Sequence, residues 1–61
     1  MNKTYIDAYD VFIKGEYVAT AHVPTGSTPN VARKRACVIN PTLLPYFGVL
    51  EVRLIGTFEK P

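Results

Sequence analysis

His22 and Cys37 are the only histidine and the only cysteine in the 61 residues, and that scarcity bounds the chemistry available. A nucleophile needs an adjacent base and an oxyanion site. A structural zinc site needs four ligands, which one Cys and one His do not supply. If Lys14-Gly15 is a two-residue turn, the strands on either side pair so that Asp7 faces His22. That couple could act as an acid–base pair, yet no Ser or Cys falls beside it. It reads as a cross-strand charge pair on an exposed face. The sequence therefore predicts no catalytic residue, no metal, no cofactor and no small-molecule substrate, and points to a protein that works by binding.

Two further groups could bind nucleic acid. Arg33-Lys34-Arg35 is the one basic cluster, and Tyr5 and Tyr9 lie four residues apart on one face of the first strand. Bases stack on aromatic rings of a sheet face, and basic side chains contact phosphate. A single-stranded-DNA-binding site would use Tyr5, Tyr9, Arg33, Lys34 and Arg53. Against it, three consecutive helical residues point in three directions, and the tyrosine face also carries Asp7, Glu16 and Glu51. The net charge of +2 is far from the basic load that demands a polyanion. A protein partner fits this face better. Cys37 reads as a free thiol without a role.

These residues must be positioned by a small set of elements. From Tyr5 to Val23 the chain is rich in Tyr, Val, Ile, Phe and Thr, interrupted only at Lys14-Gly15, which is a hairpin signature. The turn opposes Phe12 to Tyr17, Ala8 to Ala21 and Ile6 to Val23, giving an apolar core face. Pro24 ends the second strand. Thr28 is the N-cap candidate of a helix with Pro29 at its first position, and Pro41 stops it. Val31, Ala32, Ala36, Val38 and Ile39 form its apolar stripe, with Arg35 inside that stripe and Arg33, Lys34, Cys37 and Asn40 opposite. After a compact apolar stretch from Pro41 to Gly48, a last strand from Val49 to Phe58 points Leu50, Val52, Leu54 and Phe58 inward. Leu54→Ala is then expected to cost ~2–5 kcal/mol.

The predicted fold is α+β, strand–strand–helix–strand, as one domain over residues 1–61. Three antiparallel strands in order 2-1-3 carry one helix on one face. The predicted core is Ile6, Ala8, Phe12, Tyr17, Ala21, Val23, Ala32, Ala36, Ile39, Leu50, Val52, Leu54 and Phe58. The other face is left open and holds Tyr9, Val11, Val18 and Ile55, a patch suited to a partner or to a second copy. A chain this short is marginal alone, so a homodimer through those four residues is expected. No apolar run approaches the ~20 residues of a membrane span, and Met1 to Thr4 offer no signal-peptide core. A free cysteine fits a reducing cytoplasm.

Tyr5-Ile6-Asp7-Ala8-Tyr9-Asp10-Val11 resembles the first strand of the small dimeric phage inhibitors of uracil-DNA glycosylase. Val49-Leu50-Glu51-Val52-Arg53-Leu54 is similar to that family's closing strand, and the element order agrees. Those inhibitors are acidic DNA mimics, whereas this helix is basic and lacks aromatic residues, so no contact residues carry over. The length and order also look like a small phage inhibitor of bacterial RNA polymerase. Leu54-Ile55-Gly56-Thr57-Phe58-Glu59 is similar to nonstructural proteins ascribed DNA binding in single-stranded DNA phages. The resemblances together imply a compact phage-type accessory protein that binds and inhibits or modulates a host or phage enzyme, in the host cytoplasm. Single-stranded DNA binding is the alternative function, and a structural part of a larger particle stays open.

Overall fold

The computed structural model describes residues 3–60. Strand β1 spans Tyr5–Ile13 and strand β2 spans Glu16–Pro24, followed by helix α1 over Pro29–Ile39. A 3-10 segment runs from Pro41 to Val49 and leads into strand β3, Glu51–Glu59. The sheet order is β2-β1-β3 with both pairings antiparallel, as the sequence predicts for an α+β chain of this order.

Local chemistry sets most of these boundaries. Lys14 (φ 50°) and Gly15 (φ 81°) both lie in the left-handed region, the pair of conformations a type I′ hairpin turn needs. Thr28 occupies the N-cap in extended backbone and Pro29 opens α1, although the Thr28 hydroxyl makes no capping bond. Asn40 ends the helix, and its side chain accepts hydrogen bonds from the backbone N–H (3.3 Å) and hydroxyl (2.6 Å) of Thr42, starting the 3-10 segment.

The face assignment differs from the expectation, and two irregularities in the ladders are the reason. Phe12 faces Tyr17 as the turn dictates, but beyond Val18 the register shifts, and Val11 pairs Ala19, Tyr9 pairs Ala21 and Asp7 pairs Val23. A one-residue bulge reverses which row of one strand shares a face with which row of the other. The sum is favourable: Tyr9, Val11, Ile13, Val18, Ala19, Ala21 and Val23 now gather on one side. An unbulged hairpin would split these rows between two faces. The same happens in β3, where the register shifts at Leu54-Ile55, so that Ala8 faces Gly56 and Tyr9 faces Leu54.

The core is accordingly different from the one expected. Val11, Ala21, Ala36, Cys37, Leu43 and Leu50 form one buried cluster, and Tyr9, Val23 and Ala32 another. Ile6, Phe12 and Val52 are only half-buried, and Tyr17, Ile39, Leu54 and Phe58 are exposed, contrary to expectation. Helix α1 is also rolled relative to its predicted stripe. Its small residues, Ala32, Ala36 and Cys37, face the sheet while Val31, Val38 and Ile39 face out. Small side chains let the helix axis sit close to the strands, and the close fit wins over the burial of larger aliphatics. Arg35 points outward and Arg33 inward, where its Nε–H donates to the Leu50 carbonyl at 2.8 Å. The 3-10 segment covers the turn end of the helix face through Leu43 and Phe47. At ~1.5 Å per residue α1 is roughly half as long as the strands, which is why a second covering piece is needed.

Candidate functional site

The face of the sheet away from α1 has no element over it among the described residues. By register it carries Ile6, Ala8, Asp10 and Phe12 of β1, Tyr17, Thr20 and His22 of β2, and Glu51, Arg53, Gly56 and Phe58 of β3. Its turn end is tied together by side chains. The Phe12 and Tyr17 rings meet edge to face at 6.1 Å, and the Arg53 guanidinium lies 5.4 Å from the Phe12 centroid. The Tyr17 and Thr20 hydroxyls are 2.6 Å apart, and Thr20 donates to Asp10 at 3.0 Å. At the other end the Phe58 ring leans over Gly56, within 3.5 Å of where a Cβ would stand.

A concave feature lies elsewhere, along one flank of α1 and across the adjoining ends of β1 and β2. It has a volume of about 700 Å3 and is open to solvent. Tyr5, Ile6, Val23, Pro24, Val31 and Val38 give it an apolar lining. Lys34, Arg35, Lys60 and His22 give it a basic rim, and among the described residues no carboxylate lines it. Glu59, which faces Tyr5 across the ladder, is drawn instead to Lys3 at 3.6 Å. The roll of α1 creates this site: the helix turns its small residues to the sheet and so leaves Val31 and Val38 beside the two basic residues.

Several predicted site residues take structural roles. Of the expected partner face, Tyr9 and Val11 are buried under α1 and Val18 packs on the same core, so only Ile55 is exposed. The bulge at Val18 is the cause. Of the expected nucleic-acid set, Tyr9 is buried with its hydroxyl 3.5 Å from the Ser27 carbonyl, and Arg33 is spent on Leu50. Tyr5 and Lys34 meet in the groove, whereas Arg53 lies on the open face with Phe12. The five residues are thus not brought together.

Asp7 does not pair with His22. It is buried on the helix side and accepts hydrogen bonds from the Thr57 hydroxyl (2.6 Å) and the Gly26 backbone N–H (3.2 Å). The Thr57 bond above all, with those from the Gly26 backbone and Thr25, holds its carboxyl below the usual 3.8 against the opposing effect of burial. His22 is exposed on the other face, opposite Ala8. Cys37 is buried, so it is not the surface thiol the sequence suggested. Among the described residues no group of three or more His, Cys, Asp or Glu is arranged to hold a metal ion, and no helix is long and apolar enough to cross a membrane. No protein-family model, curated protein or solved structure matches the chain.

Proposed function

We propose that the protein is a non-catalytic accessory protein that holds an acidic segment of a partner protein in the groove beside α1. The observation that carries this reading is a lining with one sign of charge: Lys34, Arg35 and Lys60 over aliphatic side chains, with no carboxylate among the described residues. Such a site gains from an anionic partner and rejects a basic one. The lining favours a polypeptide over nucleic acid, since Tyr5 is the only Phe, Tyr or Trp among its described residues and single strands are held by stacking on several rings. In this reading the protein works in the cytoplasm, as a phage-type accessory protein, by occupying a surface of the enzyme it modulates.

The test is fluorescence anisotropy of a labelled ten-residue peptide of repeated Glu-Glu-Val-Val, which sets both Glu and Val on each face of an extended chain, compared with a single-stranded oligonucleotide of equal charge. The peptide should bind, more weakly as salt rises, and Lys34→Glu with Arg35→Glu should abolish binding while leaving the circular dichroism unchanged. A peptide that fails to bind at low salt, or an oligonucleotide that binds more tightly, overturns the reading.

The open sheet face suits a second copy of the chain. It carries both signs, Asp10 and Glu51 with Arg53, and so complements itself in a two-fold interface, which the groove does not. Three strands ~30 Å long and ~4.8 Å apart offer a footprint of roughly 430 Å2. That is about half of the ~800 Å2 per partner in a standard interface, the size of a weak, transient contact.

A further inference from the structure

The groove reaches β2 at His22, Val23 and Pro24, the C-terminal end of an edge strand whose backbone groups can be assigned individually. Strand β2 has β1 on one side and, among the described residues, no strand on the other. The Thr25 N–H donates to the Tyr5 carbonyl and the Lys60 N–H donates to the Thr4 carbonyl, which fixes the alternation of the ladders. Odd-numbered residues of β1 exchange bonds with β2, and those at its N-terminal end that are even-numbered exchange bonds with β3. On β2, Ala19, Ala21 and Val23 therefore turn their N–H and C=O groups to β1. Thr20 and His22 turn theirs outward. The Pro24 carbonyl also points that way but already accepts from the Ser27 N–H at 3.1 Å and the Ser27 hydroxyl at 2.5 Å. The stretch between the bulge at Val18 and Pro24 thus presents two unpaired N–H and two unpaired C=O groups, at Thr20 and His22.

We infer that the acidic segment binds as an added strand along the outer edge of β2, with its backbone bonded to Thr20 and His22. This rests on the proposed function of the groove and says how its occupant is held. The fit has three parts. The four outward backbone groups match one alternate set of amides on an extended chain. Val31 and Val38, which line the groove together with His22, Val23 and Pro24, would meet apolar side chains on the row of the added strand that faces the helix. Lys34 and Arg35, on the same flank of α1, stand within the same groove for the carboxylates.

The other free edge, β3, lacks these features. Its run is broken by the bulge at Leu54-Ile55, it carries Glu51 and Glu59, and the basic groove meets it only at Lys60. Edge addition at β2 is thereby selected by charge as well as by geometry.

The test uses the same ten-residue peptide of Glu and Val in three forms: unmodified, N-methylated at its odd positions, and N-methylated at its even positions. N-methylation removes backbone donors on one edge of an extended chain and leaves the side chains and charge unchanged. One methylated form should lose at least tenfold in affinity while the other stays within about twofold of the parent. Hydrogen exchange in the complex should slow at the Thr20 and His22 amides and not along β3. Equal loss from both methylated forms, or no slowing at Thr20 and His22, overturns strand addition and leaves groove binding standing. An unmodified peptide that does not bind removes both.

Discussion

Truncating Val11 and truncating Leu54 should have opposite consequences from those the strand alternation suggests. Val11 is fully buried in one cluster with Ala21, Ala36, Cys37, Leu43 and Leu50, whereas Leu54 is 52% exposed. Val11→Ala removes two methyl groups, worth about 1.6 kcal/mol of transfer free energy at ~0.8 per buried carbon. The cavity left behind adds a comparable amount, because the alanines of that cluster cannot reach into it. The total is roughly 2–3 kcal/mol, a large share of what a domain this small possesses, and lowers the melting temperature by about 10–20 °C. Leu54→Ala removes a side chain already half in water and should cost about 1 kcal/mol or less. Urea titrations of both variants, followed by far-ultraviolet circular dichroism, give the two values directly. If Leu54→Ala costs as much as Val11→Ala, the bulges at Val18 and Ile55 are misplaced and the sheet faces the other way.

Two further outcomes are expected. Asp7 has a lowered carboxyl pKa, so its stabilisation is complete above its unfolded value of ~3.9 and is lost as pH falls through the folded value. Asp7→Asn should be clearly less stable than the parent at pH 7, with the gap closing below about pH 4; a gap independent of pH would show that the carboxylate charge is not what Thr57 and Gly26 hold. For the open face, sedimentation equilibrium should detect a dimer at micromolar to millimolar concentration, and Phe58→Lys should give a folded monomer. A parent chain that stays monomeric throughout that range refutes self-association there.

The amino-acid sequence determined where the elements lie. Gly15 permits a tight turn, Pro24 and Pro29 bracket the loop into the helix, Pro41 stops that helix, and the β-branched and aromatic runs leave no other use for the three strands. The order β2-β1-β3 follows, since the hairpin fixes one neighbour of β1 and the helical crossover brings β3 to the other. Which side of each strand faces the helix was not determined by alternation. Both rows of β1 are largely apolar, and a bulge inserts a residue without any local signature, so only the combined burial of three strands and a helix selects the register. The roll of α1 was decided in the same way, by how closely Ala32, Ala36 and Cys37 let it approach the sheet, a distance that no periodicity encodes. The groove is the consequence: Tyr5, Val23, Lys34 and Lys60 are far apart in the chain, and their convergence exists only once helix and sheet have chosen the faces they bury.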